Sequence, residues 1–278
     1  MFIVIFICIF PLWYVLSLSL TNNNVVSSRE VWFWPKAVTL NAYKAVFLNR
    51  MIISSFNITV LRSSIGAFGT VLFNACVAYG ISKKYLVGRK SIMMYILITM
   101  YFSGGLIPMY LLLRDLELTN NFWGLVFPTM LNGWNIIIMK AFFQVIPQSL
   151  EESAKLDGAN DILIFFRIVI PLSMPILATI GLFSAVFHWN DWFWGDLLMT
   201  SNKNIPLQTL LMKIIFQSQA SMMSMNSNVS SALTMKSAPS SESIKMAAII
   251  VSTVPILFVY PFLQKYFVKG IMIGSLKG

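Results

Sequence analysis

The stretch Glu151–Pro175, EESAKLDGANDILIFFRIVIPLSMP, decides how the chain is read. It sets Glu151, Glu152, Asp157 and Asp161 between long apolar runs, with Gly158 in its middle and Pro171 and Pro175 at its exit. No other stretch of this length carries as many acidic residues. Over 278 residues the chain is 57% hydrophobic and only 11% charged, with a mean hydropathy of +0.75. Soluble domains carry about a quarter charged residues, so the composition indicates a polytopic, all-α membrane protein with a polar segment near its centre.

A helix needs about 20 mostly apolar residues to cross a bilayer. Six stretches qualify, at about 1–20, 53–81, 91–113, 122–143, 172–187 and 246–267. The first has no basic start and no small-residue cleavage site before Thr21, so it is read as a retained helix rather than a signal peptide. Whether a cytosolic tail precedes it is left open. Lys83, Lys84, Arg89 and Lys90 crowd the short link between the second and third spans, which places that link on the cytoplasmic side. Alternation then puts residues 147–170 inside and 201–245 outside. Arg29, Lys36, Lys44 and Arg50 in the first outer loop pull against this rule.

The net charge of +10 fits basic residues beside anionic headgroups, and nucleic acid is not implied. Cys8 and Cys76 lie inside apolar runs, and His188 is the only histidine; no disulfide and no metal centre is expected. Trp32, Trp34 and Pro35 in the first outer loop suit a segment resting at the interface. In the second, Leu207, Leu210, Leu211, Ile214 and Ile215 follow helical spacing, and the Ser/Asn/Met-rich tract after them has the composition of a flexible linker.

Within the polar segment two short helices are expected. Pro147 and Ser149 are start signals, Glu151 and Glu152 favour the positive helix end, and Gly158 suits a left-handed stop. Asn160 can cap the second helix, whose greasy face is Ile162, Phe165, Phe166 and Ile170. Ala154 offers a small surface for the close approach of another chain. An ordinary solvated loop is the plainer alternative. A catalytic carboxylate pair is not supported, since adjacent Glu151 and Glu152 point to different sides of a helix, and no catalytic residue is assigned.

The run IPQSLEESAKLDGAN (146–160), followed by FFRIVIPLSMPIL, resembles the EAA loop of permease subunits in ABC importers, with Ser153 where an Ala is common. WFWPKAVTLNAYKAVF (32–47), HWNDWFW (188–194) and the ending YPFLQKYFVKGIMIGSLKG extend the likeness over the chain, to permeases of the maltose-transporter type and to the branch handling complex or acidic glycans. The resemblance implies the type I ABC importer permease fold, with residues 147–170 as a cytoplasmic EAA coupling segment. Glu151, Glu152, Ala154, Asp157 and Gly158 become the set that docks on an ATPase subunit. It further implies a second homologous permease forming a heterodimer, two ATP-binding cassette subunits, an extracytoplasmic solute-binding protein, an oligosaccharide substrate and a bacterial cytoplasmic (inner) membrane.

The chain has no G-x-x-x-x-G-K-[ST] phosphate loop, so ATP and Mg are expected on the partner ATPase subunits, with no cofactor in this chain. Polar residues inside spans mark a pathway or interhelical hydrogen bonds. Asn57, Asn74 and Asn132 stay open between the two, and Lys140 is expected to snorkel. Arg62, Trp134, Asn135, His188 and Asn190 are the substrate-pathway candidates, and Arg62 would meet an acidic sugar or pair with a partner helix. Two other functions compete. An ATP-independent secondary transporter or channel would need a buried ionic relay, and no acidic residue lies deep in the six spans. A membrane enzyme would need a constellation the sequence lacks.

Overall fold

The computed structural model describes residues 1–22, 33–201, 204–225 and 242–258. Among them the chain is helical, with one isolated antiparallel bridge joining Thr21 and Val38. The helices are α1 (Phe2–Ser19), α2 (Asn41–Leu48), α3 (Arg50–Ser82), α4 (Arg89–Tyr101), α5 (Leu106–Asp115), α6 (Phe127–Met130), α7 (Gly133–Phe143), α8 (Gln148–Leu156), α9 (Asp161–Ile164), α10 (Ile170–Leu172), α11 (Met174–Asn190), α12 (Phe193–Leu198) and α13 (Leu207–Met225), followed by α14 over 242–258. A 3-10 turn (Phe122–Leu125) precedes α6, and a π turn (Phe165–Val169) joins α9 to α10.

Among the described residues α3 alone is one straight helix long and apolar enough to cross a membrane. Its 33 residues extend about 50 Å at 1.5 Å per residue. Two of the stretches expected as single spans are instead bent pairs, and a third bend falls at the start of the stretch 172–187, which otherwise runs unbroken as α11. The stretch 91–113 is split into α4 and α5, which meet at 112°. The cause is Phe102–Gly105: Gly105 sits at φ +89°, a conformation that suits glycine, and Pro108 falls in the first turn of α5, where its missing N–H costs nothing. The stretch 122–143 bends by 49° between α6 and α7. There Asn132 leaves the helical conformation and its side chain caps α7. Around 172–187 the chain bends by 81° at Ser173, between the α9–α10 arm and α11. Pro171 and Pro175 remove two amide donors on either side of that bend, and the Ser173 N–H closes the turn on Val169 and Ile170.

The described residues divide into two compact units. One comprises Met1–Thr59, Asp191–Leu197 and Ser201–Phe258. Here α2 was not foreseen: it lies inside the expected first outer loop, burying Ala42 and Val46 on one face. Trp13 donates from Nε1 to the Phe33 carbonyl at 2.5 Å and meets Trp34 edge-on; Trp32 lies outside the described residues. Leu207, Leu210 and Leu211 are buried on α13, and the Leu207 N–H is held by Thr59 Oγ1 at 2.8 Å. Helix α13 continues to Met225, into the tract read as a linker; residues 226–241 and the chain's ending lie outside the described residues.

The other unit is described over Val60–Asn190 and Leu198–Thr200. Its core gathers Ala75, Ala78 and Tyr79 of α3 with Met139 and Phe143 of α7, Phe165, and Leu177 and Ile180 of α11. Tyr79 stacks beside Phe165 with ring centroids 5.0 Å apart. Close approach along α3 rests on glycines. A Cβ on Gly66 would fall inside the His188 ring, and one on Gly69 would collide with Met130.

Candidate functional site

Helix α8 is short and amphipathic, and each of its ends has a local cause. Pro147 takes the N-cap position without a side-chain bond. Ser149, expected as a cap, already lies in the first helical turn and does not serve as one. At the other end the Gly158 N–H donates to the Lys155 carbonyl at 3.0 Å and the Ala159 N–H to the Ala154 carbonyl at 2.9 Å, a Schellman closure. It requires the left-handed φ of +83° that Gly158 adopts. Asn160 then caps α9, its side chain accepting from the Leu163 N–H at 2.8 Å. Glu151 in the first turn and Lys155 in the last both complement the helix dipole.

The candidate docking set divides by face. Glu152, Asp157 and Gly158 are exposed, together with Leu156 at 90%. Glu151 and Ala154 turn inward. Ala154 is half-buried and packs against the unit's own apolar cluster. Glu151 forms an ion pair with Lys83, both side chains being mostly buried at 16% and 10% exposure. The Lys83 ammonium also lies 4.0 Å from the Tyr79 ring centroid, a cation–π geometry.

A second tie follows one helical turn on. Asp161 accepts from the Tyr85 hydroxyl and pairs with Lys155, each at 2.9 Å. The hydrogen bond from Lys155 holds the Asp161 carboxyl below its ordinary value, and the same bond raises the Lys155 ammonium. Burial, and then the bond to Asp161, push the Tyr85 phenol up. A cleft of about 490 Å³ opens beside these ties, lined by Lys83, Lys84, Gln144, Pro147, Glu152 and Lys155 among others. From sequence Lys83 is only one of four basic residues in an orienting link, and Tyr85 is not singled out. Nothing in their spacing announces partners at Glu151 and Asp161.

The five pathway candidates do not share one open surface. Arg62 is fully buried and donates from Nε to the Leu125 carbonyl at 3.2 Å, so it offers no charge to an open path in this conformation. His188 is fully buried too, edge-on to Phe187 and against Gly66. Trp134 is 62% exposed and Asn135 half-buried at the start of α7, where both amides are held by Asn132 Oδ1. Asn190 is exposed at the end of α11 and bonds back to the Val186 carbonyl. Asn74 is an interhelical brace: it donates to the Thr70 and Met130 carbonyls at 2.5 and 2.7 Å and accepts from the Asn132 N–H at 3.0 Å. Among the described residues no group of three or more His, Cys, Asp or Glu is placed to hold a metal.

Comparison with known proteins gives this arrangement a context. Residues 80–273 match the model of the family described as "binding-protein-dependent transport system inner membrane component". The chain belongs to that family. It is an ABC importer permease subunit, a membrane component rather than an enzyme. In Bacillus subtilis (strain 168) the polygalacturonan/rhamnogalacturonan transport system permease protein YtcP is 42% identical over 98% of this chain and 93% of its own length. Protein LplC of the same organism is 38% identical, covering 98% and 90%. Among solved structures, a chain of a bacterial ABC transporter involved in the import of the acidic polysaccharide alginate aligns with TM-score 0.85 and 32% identity, over 95% of this permease and 92% of that chain. The permease therefore has the helical ABC importer permease fold.

Proposed function

We propose that this chain is one of two permease subunits of a bacterial importer that carries acidic, uronate-containing oligosaccharides across the cytoplasmic membrane. In this reading a binding protein delivers the sugar from outside, and ATP and Mg act on two separate ATPase subunits. The observation that carries the coupling part is α8: a firmly capped helix presenting Glu152, Leu156 and Asp157 outward as a docking tip. The exposed carboxylates of Glu152 and Asp157 suit an aqueous partner rather than lipid, where charge is costly. The acidic-sugar class is supported by the similarity to permeases for polygalacturonan/rhamnogalacturonan and for alginate. Alternation between inward- and outward-facing states requires that sugar and nucleotide each favour one state by differential affinity. Trp134 and Asn135 offer an exposed aromatic face beside a polar group, the mix a sugar subsite uses.

Reconstituted vesicles containing both permeases, the ATPase and the binding protein test the reading with radiolabelled oligogalacturonates. ATP-dependent uptake is expected, abolished by Glu152→Lys and by Gly158→Pro while the permease pair remains assembled. Uptake that persists without any ATPase subunit would overturn the reading in favour of a secondary carrier. Equal uptake of neutral oligosaccharides of the same length would overturn the acidic class alone.

A further inference from the structure

The docking helix is not free to move by itself. Two ties fasten it to the short link Lys83–Gly88 between α3 and α4. Lys83, at the first residue beyond α3, is paired with Glu151 in a mostly buried site and lies over Tyr79 of α3. Tyr85, two residues on, donates to Asp161 at the start of α9, and Lys155 bridges Asp161 from α8 while lying 4.9 Å over the Tyr85 ring. The first tie holds the front of α8 and the second its back, so the link grips the helix at both ends.

We infer that the α3–α4 link is the second half of the coupling element, with Lys83 and Tyr85 as positioning residues that make α8 and α3 move together. This rests on the importer reading above. A displacement imposed on α8 by a soluble partner passes through the Lys83–Glu151 pair directly to the end of α3. Helix α3 is a rigid element that also carries Asn74, bonded across the α6–α7 break, and Gly66, packed on His188 of α11. The coupling helix is covalently continuous only with α7 and α11. The clasp adds the longest helix among the described residues to what it drives, and a buried ion pair is suited to this because separating its charges leaves each uncompensated.

The test uses the whole reconstituted complex and reads oligogalacturonate uptake and ATP hydrolysis in the same vesicles. Lys83→Met should lower uptake per ATP hydrolysed by about tenfold while the ATPase subunits stay bound, and Lys83→Arg should restore the ratio to within about twofold. Tyr85→Phe, which loses the hydroxyl's bonds to Asp161 and Lys155 but keeps the ring under Lys155 and leaves the Lys155–Asp161 pair in place, should show a smaller fall. A purely structural role would lower uptake and hydrolysis together and leave their ratio unchanged, and that result overturns the inference. A second arm replaces the ion pair by a covalent tie. In a chain carrying Cys8→Ser and Cys76→Ser, the pair Lys83→Cys/Glu151→Cys bridged by a short bis-methanethiosulfonate, each thiolate displacing methanesulfinate to form a disulfide, should still transport, because the clasp stays closed through the cycle. Arrest by the bridge overturns the inference. An unmodified complex that shows no ATP-driven uptake overturns the importer reading itself, whereas coupled uptake with an indifferent Lys83→Met overturns only the clasp.

Discussion

Asn74 shows what one polar side chain contributes inside a greasy unit. Its amide bonds the Thr70 and Met130 carbonyls and the Asn132 N–H at once, and the last two are backbone groups that the α6–α7 break would otherwise leave bare. Net hydrogen bonds contribute about 1 kcal/mol each and buried orphans cost more, so Asn74→Ala should destabilise the permease by about 2–4 kcal/mol, read from thermal unfolding in detergent. Two glycines of α3 make a contrasting pair. A Cβ at Gly66 collides with His188, whereas one at Gly80 meets nothing within 4 Å. Gly66→Ala should cost about 1–3 kcal/mol through overpacking, and Gly80→Ala should gain up to about 1 kcal/mol of helix propensity; equal shifts in melting temperature would refute the packing argument. At this scale the sequence was legible in part. Gly158 and Asn160 announced their capping roles, because capping is local and depends on residue type within a few positions. Arg62 and His188 read equally well as pathway or interior, because burial is decided by neighbours far along the chain.

At the scale of elements, the α8–α9 corner is held by groups whose titration has a definite sign. Asp161 is depressed from its ordinary 3.8 by the Lys155 hydrogen bond, so its stabilising contribution is present above that value and lost as pH falls through the lower folded value. Lys155 is raised from 10.5 by the same bond, so its contribution is complete below 10.5 and lost as pH rises through the higher folded value. The tie is thus intact across the neutral range. The difference in unfolding temperature between the permease and its Asp161→Asn variant should be flat between those two values and vanish in acid; a difference that persists well below 3.8 would sink the assignment. Elsewhere the helical runs were legible from apolar length, but the bends were not. Ser103–Gly104–Gly105 and the Pro171–Pro175 pair are breakers in plain view, yet an apolar run crossing a breaker reads as one span by hydropathy. Helix α2 was missed because eight residues with two buried positions give little periodic signal. The Lys83–Glu151 tie joins residues 68 positions apart, and no spacing rule reaches that far.

For the whole molecule, the importer reading and the clasp make one joint prediction. Gly158→Ala forces a side chain onto a left-handed residue with open space around it, at about 1–2 kcal/mol. It should weaken ATPase docking without unfolding the permease, as judged by co-purification of the ATPase subunits beside a melting curve for the membrane pair that stays cooperative and falls by only a few degrees. The bent helices have a consequence for how such a chain is made. The arms α4 and α5, of 13 and 10 residues, would rise only about 20 and 15 Å, against a hydrocarbon core about 30 Å thick. Lipid cannot satisfy the irregular backbone at such a corner, and only protein can. During synthesis the corner therefore has to wait for a neighbour, and the order of the chain provides one: α3, long enough to stand in a bilayer alone, is translated before all three bent pairs. Each pair can enter straight and fold over against a helix already in place, so exchanging the chain positions of α3 and a bent pair would leave that pair to meet the membrane with no template.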